Sequence, residues 1–341
     1  MNLIYNLEEN IDITKNTIFL AGPTSRTDCS NSWRKKAIEY LNNHNFDGNI
    51  IIPEPRDNIF NRDTFNKVKQ IEWERKWLHY SNVILFWVDR GEDLPGLTTN
   101  IEFGEWFKSN KVFVGFPPES CKNDYINYLI GSNKTLSDRY SHRLDEMINK
   151  IINNFNRIGK DWFISDTHIG QQRTLDLSKR PYNNLEEMDY TIVSNWNSLI
   201  YSQDTVNHLG DFGEPKYIKY LTGKNINLLV GNYDNDDFIN QLKLYDTEDR
   251  VNIIKEKRFH YTSDLVLIHE PENKYEHNDY PNCFYLYGHV HQLSKVKRNG
   301  LNVGVDCHNF KPIDLSTIEF YKNAINNFYD NNVFMNSLEH K

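Results

Sequence analysis

The sequence is short of the features that build disulfide frameworks, cysteine metal sites and membrane spans. It has four cysteines among 341 residues, and none of them forms a CxxC pair. Such a chain suits a reducing compartment and argues against zinc held by cysteine. No apolar run approaches the roughly 20 residues that a membrane span needs. The first residues also lack a basic segment followed by an apolar core. These absences predict a soluble cytoplasmic protein that has no membrane partner.

Clustered positive charge is missing as well. The net charge is −8, and residues 156–341 hold 26 acidic side chains against 20 basic ones. A protein that binds a nucleic acid duplex normally groups Lys and Arg on one surface. The charge balance therefore argues against long nucleic acid as a partner and favours small anionic substrates.

The length and the pattern of apolar residues predict two domains. A chain of 341 residues exceeds what one hydrophobic core usually serves. In the first half, apolar strands such as 16–23 alternate with helical patterns such as 30–44, which predicts an α/β domain with a parallel sheet. We expect a first domain over residues 1–133, one connecting helix over 134–158 that stops at Gly159, and a second domain over 159–341.

Polar residues follow the apolar strands of the second half, at the strand ends where α/β proteins bind ligands. All of them offer oxygen or imidazole ligands: Asp166, His168, Asp211, Asn232, His269, His289 and His291. A single Asp-x-His pair is more often an ordinary turn, but five such elements after five strands favour a metal site. Imidazole mixed with carboxylate suits Mn, Fe, Zn or Ni. Seven ligands fit two ions that share a carboxylate and hold a phosphate between them.

The ordered motifs "SDTH", "GD", "GNYD", an isolated His and "GHVH" resemble the calcineurin-like metallophosphoesterases over residues 160 to about 320. The resemblance implies an α+β domain, a β-sandwich flanked by helices, that hydrolyses phosphoesters with two divalent metal ions, manganese foremost. It also implies the ligand sets: Asp166, His168 and His291 for the first ion, Asn232, His269 and His289 for the second, and Asp211 bridging both.

Tyr233 departs from this family pattern, because it stands in the catalytic position where the family has a His. That His is thought to contact the phosphate or to protonate the leaving group. A phenol donates a hydrogen bond, but its ordinary pKa of about 10 makes it a poor acid at neutral pH. We therefore expect intact metal binding with an altered rate or substrate range, and we consider His308 as a substitute acid. Asp234 is expected to brace the turn.

Two segments of the first half also draw attention, "IFLAGPTSR" at 18–26 and "DLPGLTTNIEFGEWF" at 93–107. The first carries a strand into a small-residue turn whose N–H groups can meet an anion or a sugar hydroxyl. In the second, Thr98, Thr99 and Asn100 are expected to cap a helix with Glu102 in its first turn, where the helix dipole keeps a carboxylate ionised. The alternative is an ordinary capping box.

Residues 15–118 resemble the nucleoside 2-deoxyribosyltransferase-like family, which has a flavodoxin-like fold. The resemblance implies that Glu102 attacks the anomeric carbon of a deoxyribonucleoside and that Glu74 helps to protonate the base. It also implies that Gly22 and Pro23 form the sugar-binding turn. These enzymes commonly complete their pockets with a neighbouring subunit, so a homo-oligomer is expected.

Several positions of this half depart from the family pattern. Phe19 stands where the family has a Tyr, and the acidic residue before the G-T motif is replaced only approximately by Asp89 and Asp93. Together with Thr99 and Asn100, these two acids complete the predicted substrate-binding residues. Arg34 is a further candidate for holding a phosphate, and Trp33 is expected in the core more than against a base.

The two halves together predict a bifunctional nucleotide-processing enzyme. The first would cleave or exchange the N-glycosidic bond of a small nucleoside or nucleotide through Glu102, and the second would hydrolyse a phosphoester at a two-metal centre. Two alternatives stay open: a nucleotide-binding or sequestering protein with slow catalysis, and a nuclease or cyclic phosphodiesterase.

Overall fold

The structure is a computed structural model that describes residues 1–25, 29, 31–57, 66–91, 94–271 and 283–328. The chain divides into two compact units, one of residues 1–158 and 197–202 and one of residues 159–196 and 203–341. The domain boundaries expected from the sequence stay predictions. Over the described ranges, every helix is too short or too polar to cross a membrane.

The first unit is built on a six-stranded parallel sheet. Its strands are β1 Asn2–Tyr5, β2 Thr17–Ala21, β3 Asn49–Ile52, β4 Val83–Trp87, β5 Val112–Gly115 and β6 Tyr140–Ser141. Their order is β1-β3-β2-β4-β5-β6, and every neighbouring pair is parallel. Without β1, this is the 2-1-3-4-5 order of flavodoxin-like sheets. The predicted α/β fold with a parallel sheet is confirmed.

Helices cover both faces of this sheet. They are α1 Trp33–Asn43, α2 Lys67–Tyr80, α3 Leu97–Trp106, α4 Asp124–Ser132, α5 Lys134–Asp138 and α6 Leu144–Phe155. Ala37 of α1 and Met147 of α6 share one core cluster with Leu20 of β2. On the opposite face, Phe103 of α3 packs edge-on against Phe86 at 5.4 Å between ring centres. The ring centre of His79 of α2 also lies 4.7 Å from that of Trp106 of α3, so these two helices are neighbours.

The prediction of one continuous helix over 134–158 was wrong. The segment forms α5, then strand β6, then α6, because residues 140–141 extend the sheet by pairing with β5. The hydroxyl of Ser141 then accepts a hydrogen bond from the backbone N–H of Arg143 at 3.0 Å. The buried apolar stripe begins only at Leu144, and the helix ends at Phe155, before Gly159.

The described residues of the second unit form two five-stranded sheets. The strands are β7 Asp161–Ile164, β8 Thr205–His208, β9 Asn225–Leu229, β10 Val251–Ile254, β11 Arg258–His260, β12 Leu265–Ile268, β13 Phe284–Tyr287, β14 Val296–Lys297, β15 Gly300–Asn302 and β16 Ile313–Asp314. One sheet has the order β10-β9-β8-β7-β16 and the other β11-β12-β13-β15-β14. In the first sheet only β16 is antiparallel to its neighbour, and in the second β11 and β14 are.

The two sheets pack face to face around one core. Phe163 and Leu229 from the first sheet lie in the same buried cluster as Leu267 and Leu286 from the second. The helices of this half of the chain are α7 Gln172–Leu177, α8 Leu185–Leu199, α9 Asp236–Tyr245 and α10 Leu315–Phe328. The predicted β-sandwich with flanking helices is confirmed.

Candidate metal centre

The candidate ligands of the second unit lie in loops that hydrogen-bond to one another. Backbone N–H of Asp166, after β7, donates to the carbonyl of Gly210, after β8, at 3.0 Å. In the other sheet, the N–H of Gly288 donates to the carbonyl of His269 at 2.9 Å. The N–H of His289 then crosses between the sheets to the Asp166 carboxylate, 2.9 and 3.0 Å from its two oxygens. These hydrogen bonds therefore hold the loops at the carboxyl ends of both sheets next to one another.

Six of the seven candidate ligands lie there in two groups. Each group offers three ligand atoms within 4.8 Å of one another: Asp166, His168 and His291 in the first, and Asp211, His269 and His289 in the second. Asp211 also lies between the groups, because its Oδ2 is 3.6 Å from Nε2 of His168 and 3.5 Å from Nε2 of His269. One carboxylate is thus within reach of ligands in both groups, as a shared ligand must be.

The chemistry of two buried imidazoles in these groups suits a divalent ion. Nε2 of His168 and Nε2 of His269 are both buried without a hydrogen-bond partner among the described residues. Leaving a buried polar atom unpaired costs about 1–3 kcal/mol. Their other ring nitrogens are fixed, since Nδ1 of His168 donates to Gln171 Oε1 at 2.8 Å and Nδ1 of His269 donates to the carbonyl of Leu209 at 2.6 Å. An acceptor on one ring nitrogen orients the other nitrogen of a metal-binding histidine.

The backbone at these positions is strained. Five of the seven candidate ligands have positive φ: Asp166 at 55°, His168 at 45°, Asp211 at 57°, His289 at 67° and His291 at 48°. Positive φ is uncommon outside glycine, although Asp and His tolerate it better than most residues. Each such residue costs about 1–3 kcal/mol, and such residues cluster at functional sites. The fold therefore accepts strain in order to turn these side chains toward one centre.

Burial and mutual charge set the protonation of the group. Burial raises the pKa of Asp166 and lowers the pKa of His168 to about 4. Burial also opposes ionisation of the pair formed by Asp211 and His269, but their attraction outweighs it. The pKa of Asp211 is thus lowered and that of His269 raised to about 9. A metal ion at His269 must therefore displace a proton.

A buried ion pair, which the sequence analysis missed, supports the first group. The carboxylate of Asp306 accepts from Nδ1 of His291 at 2.8 Å and from Nε and Nη2 of Arg180 at 3.0 and 2.9 Å. Arg180 also donates to the backbone carbonyls of Asp166 and Thr167 at 2.6 and 2.8 Å. Asp306 follows the apolar run "LNVGV", the same strand-end pattern that revealed the other ligands.

The turn after β9 carries Asn232 and Asp234, two of the residues that the sequence singled out. As expected, Asp234 braces it, accepting from the N–H groups of Gly231, Asp211 and Phe212 at 3.0, 2.7 and 3.1 Å. Burial raises the pKa of Asp234 to about 6. Asn232 is exposed, and no contact within the described residues links its side chain to either group, so its part as a ligand stays a prediction.

His308, which the sequence suggested as a substitute acid, makes contacts with Asn302 and Tyr321. Its Nε2 bonds the backbone carbonyl of Asn302 at 2.7 Å, and its ring packs against Tyr321 at 6.2 Å. Burial lowers the pKa of His308 to about 4, which disfavours the protonated form, and the role of His308 as an acid stays a prediction.

In the first unit, Gly22, Pro23 and Asp89 lie where the order of the sheet reverses. They follow β2 and β4, whose carboxyl ends form the topological switch point that binds ligands in open α/β sheets. A Cβ on Gly22 would overlap the carbonyl oxygen of Trp87, so only glycine fits the turn. Asp89 is exposed.

Arg34 holds this turn rather than a phosphate. Its guanidinium donates to the carbonyls of Leu20 and Gly22, both at 2.9 Å, and to the carboxylate of Glu54 at 2.6 Å. The side chain of Arg34 is 1% exposed, and Trp33 lies in the core cluster, as expected. The guanidinium of Arg34 therefore stabilises the turn through these hydrogen bonds.

The expected cap of the Glu102 helix was wrong. Helix α3 begins at Leu97, and Gly96 caps it in the left-handed conformation with φ of 60°. Thr98, Thr99 and Asn100 lie inside the helix, so Glu102 falls in the second turn and gains less from the helix dipole. Glycine takes the cap because it adopts positive φ without strain.

The other predicted residues of this unit lie along the same face of the sheet. Glu102 is half-buried on α3, and Glu74 lies on the neighbouring helix α2, where it accepts from Nε2 of Gln70 at 2.6 Å. Thr99 is buried, and Asn100 Oδ1 accepts from Arg90 Nη2 at 2.8 Å. The prediction for Asp93 lies outside the described residues.

Family models match both parts of the chain. The model described as "Nucleoside 2-deoxyribosyltransferase like" matches residues 15–120, and the one described as "Calcineurin-like phosphoesterase superfamily domain" matches residues 162–305. The chain therefore combines these two domains. Both resemblances drawn from the sequence are confirmed. The two candidate ligand groups lie within the phosphoesterase domain, and Glu74 and Glu102 lie within the transferase-like domain.

The chain also resembles individual proteins over about half of its length. It is similar to an uncharacterized protein of Methanocaldococcus jannaschii, with 28% identity over 174 residues that cover 47% of this chain and 89% of that protein. It is also similar to the crystal structure of a protein of unknown function from Aquifex aeolicus, with 23% identity and a TM-score of 0.38. That match covers 48% of this chain and 99% of the other.

Proposed function

We propose that the phosphoesterase domain hydrolyses phosphoesters at a centre of two divalent metal ions. The expected metal is manganese, with iron, zinc and nickel as alternatives. The single observation that carries the proposal is that Nε2 of His168 and Nε2 of His269 are buried without a hydrogen bond among the described residues, and that both lie within 3.6 Å of the one Asp211 carboxylate. When bound, the ions would polarise the phosphoryl group and lower the pKa of the attacking water.

The side chains of this domain would then hold and orient the two ions. Asp166, His168 and His291 serve the first ion, Asn232, His269 and His289 the second, and Asp211 both. Gln171 and the carbonyl of Leu209 keep Nδ1 of His168 and of His269 protonated, which directs each Nε2 lone pair inward. Asp306 does the same for His291.

For the transferase-like domain, we propose cleavage or exchange of an N-glycosidic bond in a small nucleoside or nucleotide. Glu102 would be the nucleophile and Glu74 the carboxylate on the base side. The turn of Gly22 and Pro23 would receive the sugar, and Asp89, Asp93, Thr99 and Asn100 would complete the substrate-binding residues. The position of this turn at the switch point of a flavodoxin-like sheet supports the proposal. A homo-oligomer and a cytoplasmic location stay predictions.

One observation favours a second candidate function. Tyr233 supplies a phenol where a histidine would be an efficient acid, which supports a nucleotide-binding protein with slow turnover. The acidic charge of the second half argues against a nuclease that acts on long nucleic acid.

The proposal is tested by incubating the purified chain and manganese with deoxynucleosides, deoxynucleoside monophosphates and p-nitrophenyl phosphate. We expect multiple turnovers that yield free base and phosphate. Asp211→Asn should abolish phosphate release, and Glu102→Gln should abolish base release. Asp249→Asn and Glu105→Gln make the same changes at exposed positions and should leave both activities intact. Retention of one nucleotide per chain without turnover would support sequestration instead.

A further inference from the structure

Beside the first ligand group lies an arginine that makes no ion pair within the described residues. Arg173 of α7 donates from Nη1 to the hydroxyl of Tyr233 at 3.1 Å, and its guanidinium carbon lies 5.8 Å from the centre of the Tyr233 ring. Its only described side-chain partner is thus a phenol. Among the residues that the structure describes, the positive charge of Arg173 therefore has no carboxylate partner, although this half of the chain is acidic overall.

Tyr233 is held in a fixed position relative to both ligand groups. Its backbone N–H donates to Oδ1 of Asp211 at 3.0 Å, and its ring lies edge-on to His168, with 5.4 Å between ring centres and an 80° angle between planes. Tyr233 is 46% exposed and Arg173 is exposed as well, so a ligand can reach this pair. An anion held by this pair would lie next to the predicted metal centre.

The two arginines around the centre differ in how their donors are used. Arg180 is buried, and its Nε, Nη1 and Nη2 bond Asp306 and two backbone carbonyls. Within the described part of the chain, Arg173 uses one of the five N–H donors that an arginine carries. A guanidinium with free donors matches two phosphate oxygens at once, which a lysine does not.

We propose that Arg173 and the Tyr233 hydroxyl bind a second phosphate, joined by a bridging oxygen to the phosphoryl group at the metal centre. This inference rests on the proposed phosphoesterase function and names its substrate class. The substrates would be compounds with a phosphoanhydride bond, such as nucleoside diphosphates, rather than simple phosphate monoesters.

The reaction balances with water as the only co-substrate. A bond forms between the water oxygen and the first phosphorus, and the bond from that phosphorus to the bridging oxygen breaks. The bridging oxygen keeps the electron pair and leaves as part of the second phosphate, while the proton of the water passes to solvent. An arginine stays protonated in proteins, so Arg173 would stabilise the departing negative charge without transferring a proton. A nucleoside monophosphate would place no phosphate in this subsite.

The test compares ADP, AMP and p-nitrophenyl phosphate as substrates of the manganese-loaded full chain. We expect kcat/KM for ADP to exceed that for AMP by about 100-fold, because charged hydrogen bonds to the second phosphate are gained. Arg173→Gln should lower kcat/KM for ADP by about 10- to 100-fold and change that for p-nitrophenyl phosphate by less than about threefold. Arg173→Lys should fall between wild type and Arg173→Gln, because it keeps the charge and loses the fork.

Two controls separate the possible failures. Arg75→Gln removes an exposed arginine of the first unit and should leave all three substrates unaffected. Manganese affinity of Arg173→Gln should stay within about twofold of wild type, and its loss would show that Arg173 supports the metal centre, which overturns the inference. Hydrolysis of p-nitrophenyl phosphate without a preference for ADP, or with a preference that survives Arg173→Gln, overturns the subsite alone. If no substrate is hydrolysed, the phosphoesterase proposal fails, and the subsite fails with it.

Discussion

Replacing Asp306 by Asn should weaken the first metal position and destabilise the second domain. The side chain of Asp306 is 4% exposed and that of its partner Arg180 is fully buried, with Nη2 to Oδ2 at 2.9 Å. Asn keeps the shape and one acceptor oxygen, but its NH2 group must face a donor of Arg180 or of His291. Breaking one side of a buried ion pair costs about 3–5 kcal/mol.

The effect on metal binding follows from the bond that Asp306 makes to Nδ1 of His291 at 2.8 Å. Removing such an outer partner of a metal-binding histidine typically costs about 10- to 100-fold in metal affinity, or about 1.4–2.8 kcal/mol. Calorimetry of the metal-free protein should show the second domain unfolding about 6–20 °C lower. Manganese titration should then show one weakened site of two.

Asp249→Asn is the matched control, because it makes the same change at an exposed position and should alter neither quantity. A variant of Asp306 that unfolds earlier but binds both manganese ions with unchanged affinity would refute the orienting role. In that case the ion pair with Arg180 would serve the fold alone.

Three further predictions concern Gly231, Arg34 and His269. Gly231→Ala would bring a Cβ into overlap with the N and Oδ1 atoms of Asp211, so steady-state kinetics should show slower phosphoester hydrolysis, and calorimetry should show a loss of about 1–3 kcal/mol in the free energy of unfolding of the domain. Unchanged values would show that this tight turn does not hold the Asp211 carboxylate in place. Arg34→Met leaves Glu54 buried without the guanidinium that lies 2.6 Å away, so the free energy of unfolding of the first domain should fall by about 3–5 kcal/mol while hydrolysis of p-nitrophenyl phosphate persists. Loss of both base release and phosphate release would argue against independent domains. Because the pKa of His269 is raised to about 9, calorimetric titrations should show that manganese affinity rises about tenfold per pH unit between pH 7 and 9 and that binding releases one proton. A manganese affinity that does not change with pH would show that His269 is not a ligand.

Much of the fold could be predicted because the buried strands of parallel sheets are continuous apolar runs. The runs at β2, β4 and β5 are of this kind, and all residues of these strands are buried. Strand β1 was not predicted, since three of its four residues are only partly buried. Strand β6 has two residues, and its pairing with β5 depends on tertiary structure that no local pattern reveals.

The site divides in a similar way. The candidate ligands could be found because each follows an apolar strand in a fixed order. Arg180 and Arg173 could not be found, since their roles depend on side chains 126 and 60 residues away in the chain. The start of α3 was misread because Gly96 and the Thr pair are both reasonable caps, and only the backbone conformation decides between them.

The metal content of the chain tests the two-metal centre most directly. Protein purified without chelator, then loaded with manganese and dialysed, should hold about two ions per chain, and Asp211→Asn should hold one or none. Wild-type protein that shows no saturable binding of manganese, iron, zinc or nickel would contradict the claim that these side chains form a two-metal centre.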